Sequence, residues 1–129
     1  EQYTGSKTNL FRFPGGSSNT ISRGHSKGVV SAIANEMTKR GYVYFDWNVD
    51  SNDAAGANSS QIYSNVTSGI SKRHESVVLM HDIKRSTIDV IEDIIVYGLN
   101  NGYTFDTLNV SSPTVHHHIN NWFYCIFNL

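Results

Sequence analysis

Arg12, Asp50, Asp53, His81 and Asp82 are the residues whose types and placement could do general acid and base chemistry. Each sits at the end of an apolar run. Arg12 lies within Leu10–Phe13, just before Pro14-Gly15-Gly16; Asp50-Ser51-Asn52-Asp53 follows Tyr42–Val49; His81-Asp82 follows Val77–Met80. A carboxylate, an imidazole and a guanidinium brought to one edge suit general acid and base work. Taken singly, each has a plainer reading. Arg12 reads as a solvated strand-end charge, Asp50 and Asp53 as turn and cap formers, and His81 equally as a hydrogen-bonded structural histidine. The functional reading gains only because the three groups fall at equivalent ends of successive strands.

The elements that must position them follow from hydrophobic periodicity. Strands are predicted over residues 10–13, 42–49, 76–80 and 103–108. Three helices are predicted between them. The first carries Val29, Val30, Ile33 and Met37 and stops at Lys39-Arg40-Gly41. The second carries Ile62, Val66 and Ile70, with Ser59 or Ser60 as its cap. The third carries Ile88, Ile91, Ile95 and Leu99, opens at Ser86 and stops at Asn101-Gly102. Residues 17–26 and 51–60 read as loops. Alternating strands and helices imply an α/β domain with about four parallel strands and three crossover helices. In such sheets ligands sit at the carboxyl ends of the strands, where the three groups lie.

Composition narrows the function classes. The chain has 129 residues, enough for one domain, and a formal net charge of −1. That balance provides no broad field for nucleic acid or anionic membranes. Hydrophobic residues make up 39% of the chain, which sets it apart from disordered sequences. The single cysteine, Cys125, excludes an intrachain disulfide framework and a zinc site built on several thiolates. No apolar run approaches the ~20 residues of a membrane span. The chain opens on Glu1-Gln2-Tyr3 with neither an initiator Met nor a signal-type apolar segment, and is expected to be an excised or processed piece.

Three segments together carry a resemblance. Leu10-Phe-Arg-Phe-Pro-Gly-Gly16, Phe45-Asp-Trp-Asn-Val-Asp-Ser-Asn-Asp53 and Val77-Val-Leu-Met-His-Asp82 resemble, in order and spacing, the third to fifth motifs of the polysaccharide deacetylases. These are the NodB-homology enzymes of carbohydrate esterase family 4. Tyr97-Gly98-Leu99 and Gly102–Phe105 are similar to that family's final helix and strand. The resemblance implies a partial (β/α)7 barrel, with residues 1–129 as the carboxyl-terminal half of the domain. It implies a metal-dependent N-deacetylase acting on N-acetylglucosamine units of peptidoglycan or chitin-type polymers, outside the cell or at its surface. Carried over by motif, His81 would protonate the departing amine, Asp50 would orient His81, and Arg12 would hold the catalytic aspartate. Leu79, Pro14 and Gly15 would line the substrate.

The chain departs from the family pattern in two ways. The fourth motif usually ends in tryptophan, whereas Ala54 stands here. The T-F-D-D-G and H-x-x-x-H motifs, which supply the base and the ligands of a divalent metal (zinc by the resemblance), do not occur in the sequence. Thr104-Phe105-Asp106 is a decoy, since Thr107-Leu108 follows it. The expectation is therefore an N-acetylated glycan as partner, no metal ligands in this chain, and no activity from the chain alone. The alternative is a non-catalytic remnant that binds glycan or protein. Open strand edges predict self-association or coverage by residues 3–10 or 122–127. Adjacent residues of one element point to different sides, so His116-His117-His118 reads as a terminal loop before it reads as a metal site. Trp122–Phe127 reads evenly as a packed final segment or a partner surface, with Cys125 an inert thiol. Three Asn-x-Ser/Thr sequons, at Asn58, Asn65 and Asn109, read as polar surface.

Overall fold

The computed structural model describes Gly5 and residues 7–120 and divides into two compact units. The Trp122–Phe127 run and Cys125 lie outside the described residues. The first unit holds residues up to Asp46 and those from Asn109 onward; the second runs from Trp47 to Leu108.

In the first unit, β1 (Leu10–Phe11) pairs in parallel with β2 (Val43–Tyr44), with Leu10 opposite Val43 and Phe11 opposite Tyr44. Between them run α1 (Ile21–His25), inside the segment expected to be a loop, and α2 (Val29–Lys39). Helix α2 buries Val30 and Ala34 against Phe13 and Tyr44, whereas Ile33 is exposed. Its expected stripe is therefore turned around the helix axis, because Ala34 permits the closer approach to the aromatic cluster. Phe11, Phe13 and Tyr44 meet edge-on or tilted at ring separations of 5.2–5.6 Å, the offset geometry that aromatic quadrupoles favour.

In the second unit, β3 (Val49–Asp50) pairs in parallel with β4 (Val78–Leu79), Val49 opposite Val78 and Asp50 opposite Leu79. Helix α3 (Ser59–Ile70) connects them, and the short α4 (Arg85–Ile88) and then α5 (Ile91–Asn100) follow β4. Asn58, rather than Ser59 or Ser60, caps α3: its side chain accepts from the Gln61 amide while Gln61 reaches back to the Asn58 amide. The expected stripe Ile62, Val66 and Ile70 is buried and packs with Val49, Val90 and Ile94. A full burial of each such side chain stabilises by about 1.5–3 kcal/mol. Gly69 lets α3 lie against β3, since a Cβ there would stand 2.5 Å from Val49 Cγ1.

The structure corrects three expectations about elements. The segment 42–49 is not one strand: its ends belong to β2 and β3, in separate two-stranded sheets. Residues 103–108 join no ladder among the described residues, so the four strands are β1–β4 and only the first three expected strand regions supply them. The third helix breaks into α4 and α5, and the stripe expected to face the core is on its outer side. Ile88, Ile95 and Leu99 are exposed while Val90, Ile94 and Gly98 are buried. Apolar residues cover more than one face of Ile91–Leu99, so periodicity could not choose the inner one. Among the described residues no helix is long and apolar enough to cross a membrane.

Candidate functional site

The site is built at the carboxyl ends of β3 and β4. After β3 the chain turns sharply through Asn52, whose φ of 60° is the left-handed conformation that asparagine tolerates. Asp50 Oδ1 accepts from the Asn52 amide at 2.8 Å, an Asx turn, and Asp50 Oδ2 accepts from Trp47 Nε1 at 3.1 Å. Ser51 Oγ accepts from the Asp53 amide at 3.3 Å, and Asn65 Nδ2 donates to the Ser51 carbonyl at 3.0 Å, which ties the turn to α3. The turn delivers Asp53, 2% exposed, beneath the end of β4.

There its carboxylate collects three donors. Oδ2 accepts from the His81 amide at 2.6 Å and from Thr87 Oγ at 2.8 Å; Oδ1 lies 2.8 Å from His81 Nδ1. Burial disfavours the charge on Asp53, but the hydrogen bonds from His81 and Thr87 outweigh it and lower the pKa to about 2. At neutral pH Asp53 is therefore an acceptor only, which assigns the proton to Nδ1 of His81. The other ring nitrogen, Nε2, has no protein partner among the described residues, and the side chain is 30% exposed. A histidine held in this tautomer by a buried carboxylate can pass a proton through Nε2.

The expected partnership of His81 with Asp50 is thus corrected: Asp53 orients His81, while Asp50 is spent on its own turn. Asp50-Ser51-Asn52 permits this turn without announcing it, since the turn depends on the left-handed Asn52. Thr87 carried no distinctive signal. Leu79 sits in β4, half-buried, opposite Asp50. Arg12, Pro14 and Gly15 belong to the first unit, where all three are exposed and Gly15 and Gly16 take φ of 70° and 78°.

The first unit contains a second buried carboxylate. Asp46, 1% exposed, accepts from the Ser17 amide at 2.7 Å, from Ser17 Oγ at 2.5 Å and from the His117 amide at 2.8 Å. It fastens the Pro14–Ser17 turn and the histidine run to the end of β2. Burial and, second, the Asp46 charge push the Tyr44 phenol above its ordinary value. Two of the three histidines take separate partners: His116 stacks on Tyr44 at 3.8 Å with Nε2 3.0 Å from the Tyr44 carbonyl, and His117 Nδ1 lies 3.1 Å from Ser18 Oγ.

Among the described residues no three His, Cys, Asp or Glu side chains gather to hold a metal. The donors present fit one poorly, because both buried carboxylates are saturated by protein N–H and O–H groups.

No protein-family model matches the chain. Individual relatives do. It is 31% identical over 121 residues to YheN of Bacillus subtilis, a protein named as a polysaccharide deacetylase, covering 90% of this chain and 40% of the relative. It is 29% identical over 105 residues to the peptidoglycan-N-acetylglucosamine deacetylase of Bacillus cereus, covering 77% of this chain and 37% of that protein. The solved catalytic domain of the peptidoglycan N-acetylglucosamine deacetylase from Eubacterium rectale matches with a TM-score of 0.88 and 46% identity. That match covers 92% of this chain and 55% of that domain. The named relatives and the solved domain are polysaccharide deacetylases, and the chain belongs to this family. It spans less than half the length of these curated relatives.

Proposed function

We propose that this chain supplies the proton-donating half of an N-deacetylase site that acts on N-acetylglucosamine units of a cell-surface glycan, peptidoglycan first and chitin-type polymers second. It would form the carboxyl-terminal part of a (β/α)7 barrel. The observation that carries this reading is the buried Asp53 carboxylate against Nδ1 of His81 at 2.8 Å, which leaves Nε2 for substrate. In the hydrolysis, water adds to the acetamide carbonyl carbon and gives up a proton, the C–N bond breaks, and the nitrogen leaves as an amine that takes its proton from Nε2 of the doubly protonated His81 ring, which regains a proton from solvent. Acetate is the second product. Asp53 and Thr87 keep the ring oriented through the step. By their motifs, Leu79 in the second unit and Pro14 and Gly15 in the first are assigned to the substrate, and Arg12 in the first unit to the carboxylate that serves as base. The divalent metal of the intact enzymes is assigned to no residue of this chain.

A second reading, a non-catalytic glycan- or protein-binding remnant, is favoured by the lack of a ligand group among the described residues. Acetate release from N-acetylglucosamine oligomers, with zinc or cobalt added, separates the two. The chain alone should release none. Co-expressed with the portion of the Eubacterium rectale domain that it does not span, it should release acetate, and His81→Ala should lower the rate about 100-fold or more. Turnover by the chain alone that His81→Ala abolishes, or joint turnover that ignores this substitution, would refute the half-site reading.

A further inference from the structure

A groove between α3 and α5 lies wholly within the second unit and has no part in the reaction above. Its volume is about 590 Å³, inside the range of roughly 300–1,000 Å³ typical of small-molecule sites. None of Asp53, His81 and Thr87 lines it. Tyr63 of α3 and Tyr97 of α5 form its wall, their rings meeting edge-on with centroids 6.1 Å apart. Both rings are half-buried and pack against the core, so the wall stands without a ligand. Among the described residues neither phenol hydroxyl has a hydrogen-bond partner. Asp93, Tyr97 and Asn100 follow at helical spacing and share one face of α5. Asp89, just ahead of the helix, also lines the groove, but its carboxylate is paired with Arg85 Nε at 2.7 Å. Asp93 is exposed, and its carboxylate has no protein partner among the described residues. No Lys, Arg or His lines the groove.

These groups define a ligand by its chemistry. An aromatic wall takes the apolar side of a ring or a cation. The Asn100 amide and the two phenols take hydroxyl groups, and the Asp93 carboxylate takes a positive charge. Two carboxylates, one already paired, are too few for a divalent metal. A bare polyamine would leave the amide and the phenols without partners. We infer that the Tyr63–Tyr97 groove binds glucosamine units whose amine is free and protonated. The ammonium group sits on Asp93, the pyranose lies against the tyrosine rings, and its hydroxyls meet Asn100 and the phenols. The source of this ligand rests on the reading above, because N-deacetylation turns a neutral acetamide into such a cation. The groove then retains the protein on glycan that has already been processed.

The test titrates the full chain with glucosamine tetramer, N-acetylglucosamine tetramer and spermidine in mildly acidic buffer, where the sugar amine carries its proton. Nitrogen-15 NMR reads the amides of Tyr63, Asp93 and Tyr97. Glucosamine tetramer should shift them along a saturable curve, with the N-acetylated tetramer and spermidine each binding at least about tenfold more weakly. Asp93→Asn, at an exposed position, should weaken binding at least about fivefold, and Asp93→Glu, which keeps the charge, should retain it. His81→Ala should leave the shifts in place. Three results overturn the inference: no saturable shift, equal affinity for the acetylated tetramer or for spermidine, or shifts that survive Asp93→Asn or vanish with His81→Ala. Binding as expected from a protein that fails the acetate-release assay contradicts the functional reading and leaves the groove standing. Acetate release without these shifts overturns the groove alone.

Discussion

Replacing Asp53 by asparagine tests the carboxylate on which the site depends. In the native chain its pKa falls from the ordinary 3.8 to about 2, the net of burial opposing the charge and three donors favouring it. At about 1.4 kcal/mol per pH unit, the ionised form is favoured in the fold by about 2 kcal/mol. Because the folded value is the lower one, this contribution is complete above pH 3.8, shrinks below it, and vanishes as the pH drops through about 2. The substituted amide carries no charge to lose. Urea unfolding followed by circular dichroism at a series of pH values should therefore find Asp53→Asn less stable by about 2 kcal/mol at pH 6, with the gap closing between pH 4 and 2. A gap that stays constant across that range, or no gap at pH 6, would refute the claim that a buried, ionised Asp53 holds His81.

Three further substitutions probe the supporting structure. Asn58→Ala removes the α3 capping box and should cost about 1 kcal/mol in the same unfolding assay. Gly98→Ala should push the exposed tip of the Phe105 ring aside and change stability by less than about 1 kcal/mol, because the ring can move and alanine favours the helix. Asp46→Asn should weaken the hold on Ser17 and His117 by about 1.5–3 kcal/mol and speed exchange of both amides while leaving that of His81 unchanged.

The sequence exposed the order of elements better than their partners. Strand ends carrying Asp50–Asp53 and His81-Asp82 were legible because short apolar runs stop abruptly at polar groups, and Ile62, Val66 and Ile70 were legible because α3 is apolar on one face only. What escaped was set by tertiary contact. Residues 42–49 alternate as one strand would, yet Tyr44, Phe45 and Asp46 are all buried in succession, as a parallel pair covered on both sides requires. The choice between Asp50 and Asp53 turned on a left-handed Asn52, a backbone state that residue types permit but do not announce. Helix α5 offered two apolar faces, and the inner one was selected by Gly98, whose lack of a side chain admits Phe105.

At the centre of the site, Asp53 fixes His81 with its proton on Nδ1 and Nε2 free. Nitrogen-15 NMR of the His81 imidazole reads this directly. The neutral ring should carry its proton on Nδ1, with a strongly downfield signal for that proton, and Asp53→Asn should abolish the preference. A neutral ring protonated on Nε2, or one whose tautomer is unchanged by Asp53→Asn, would contradict it.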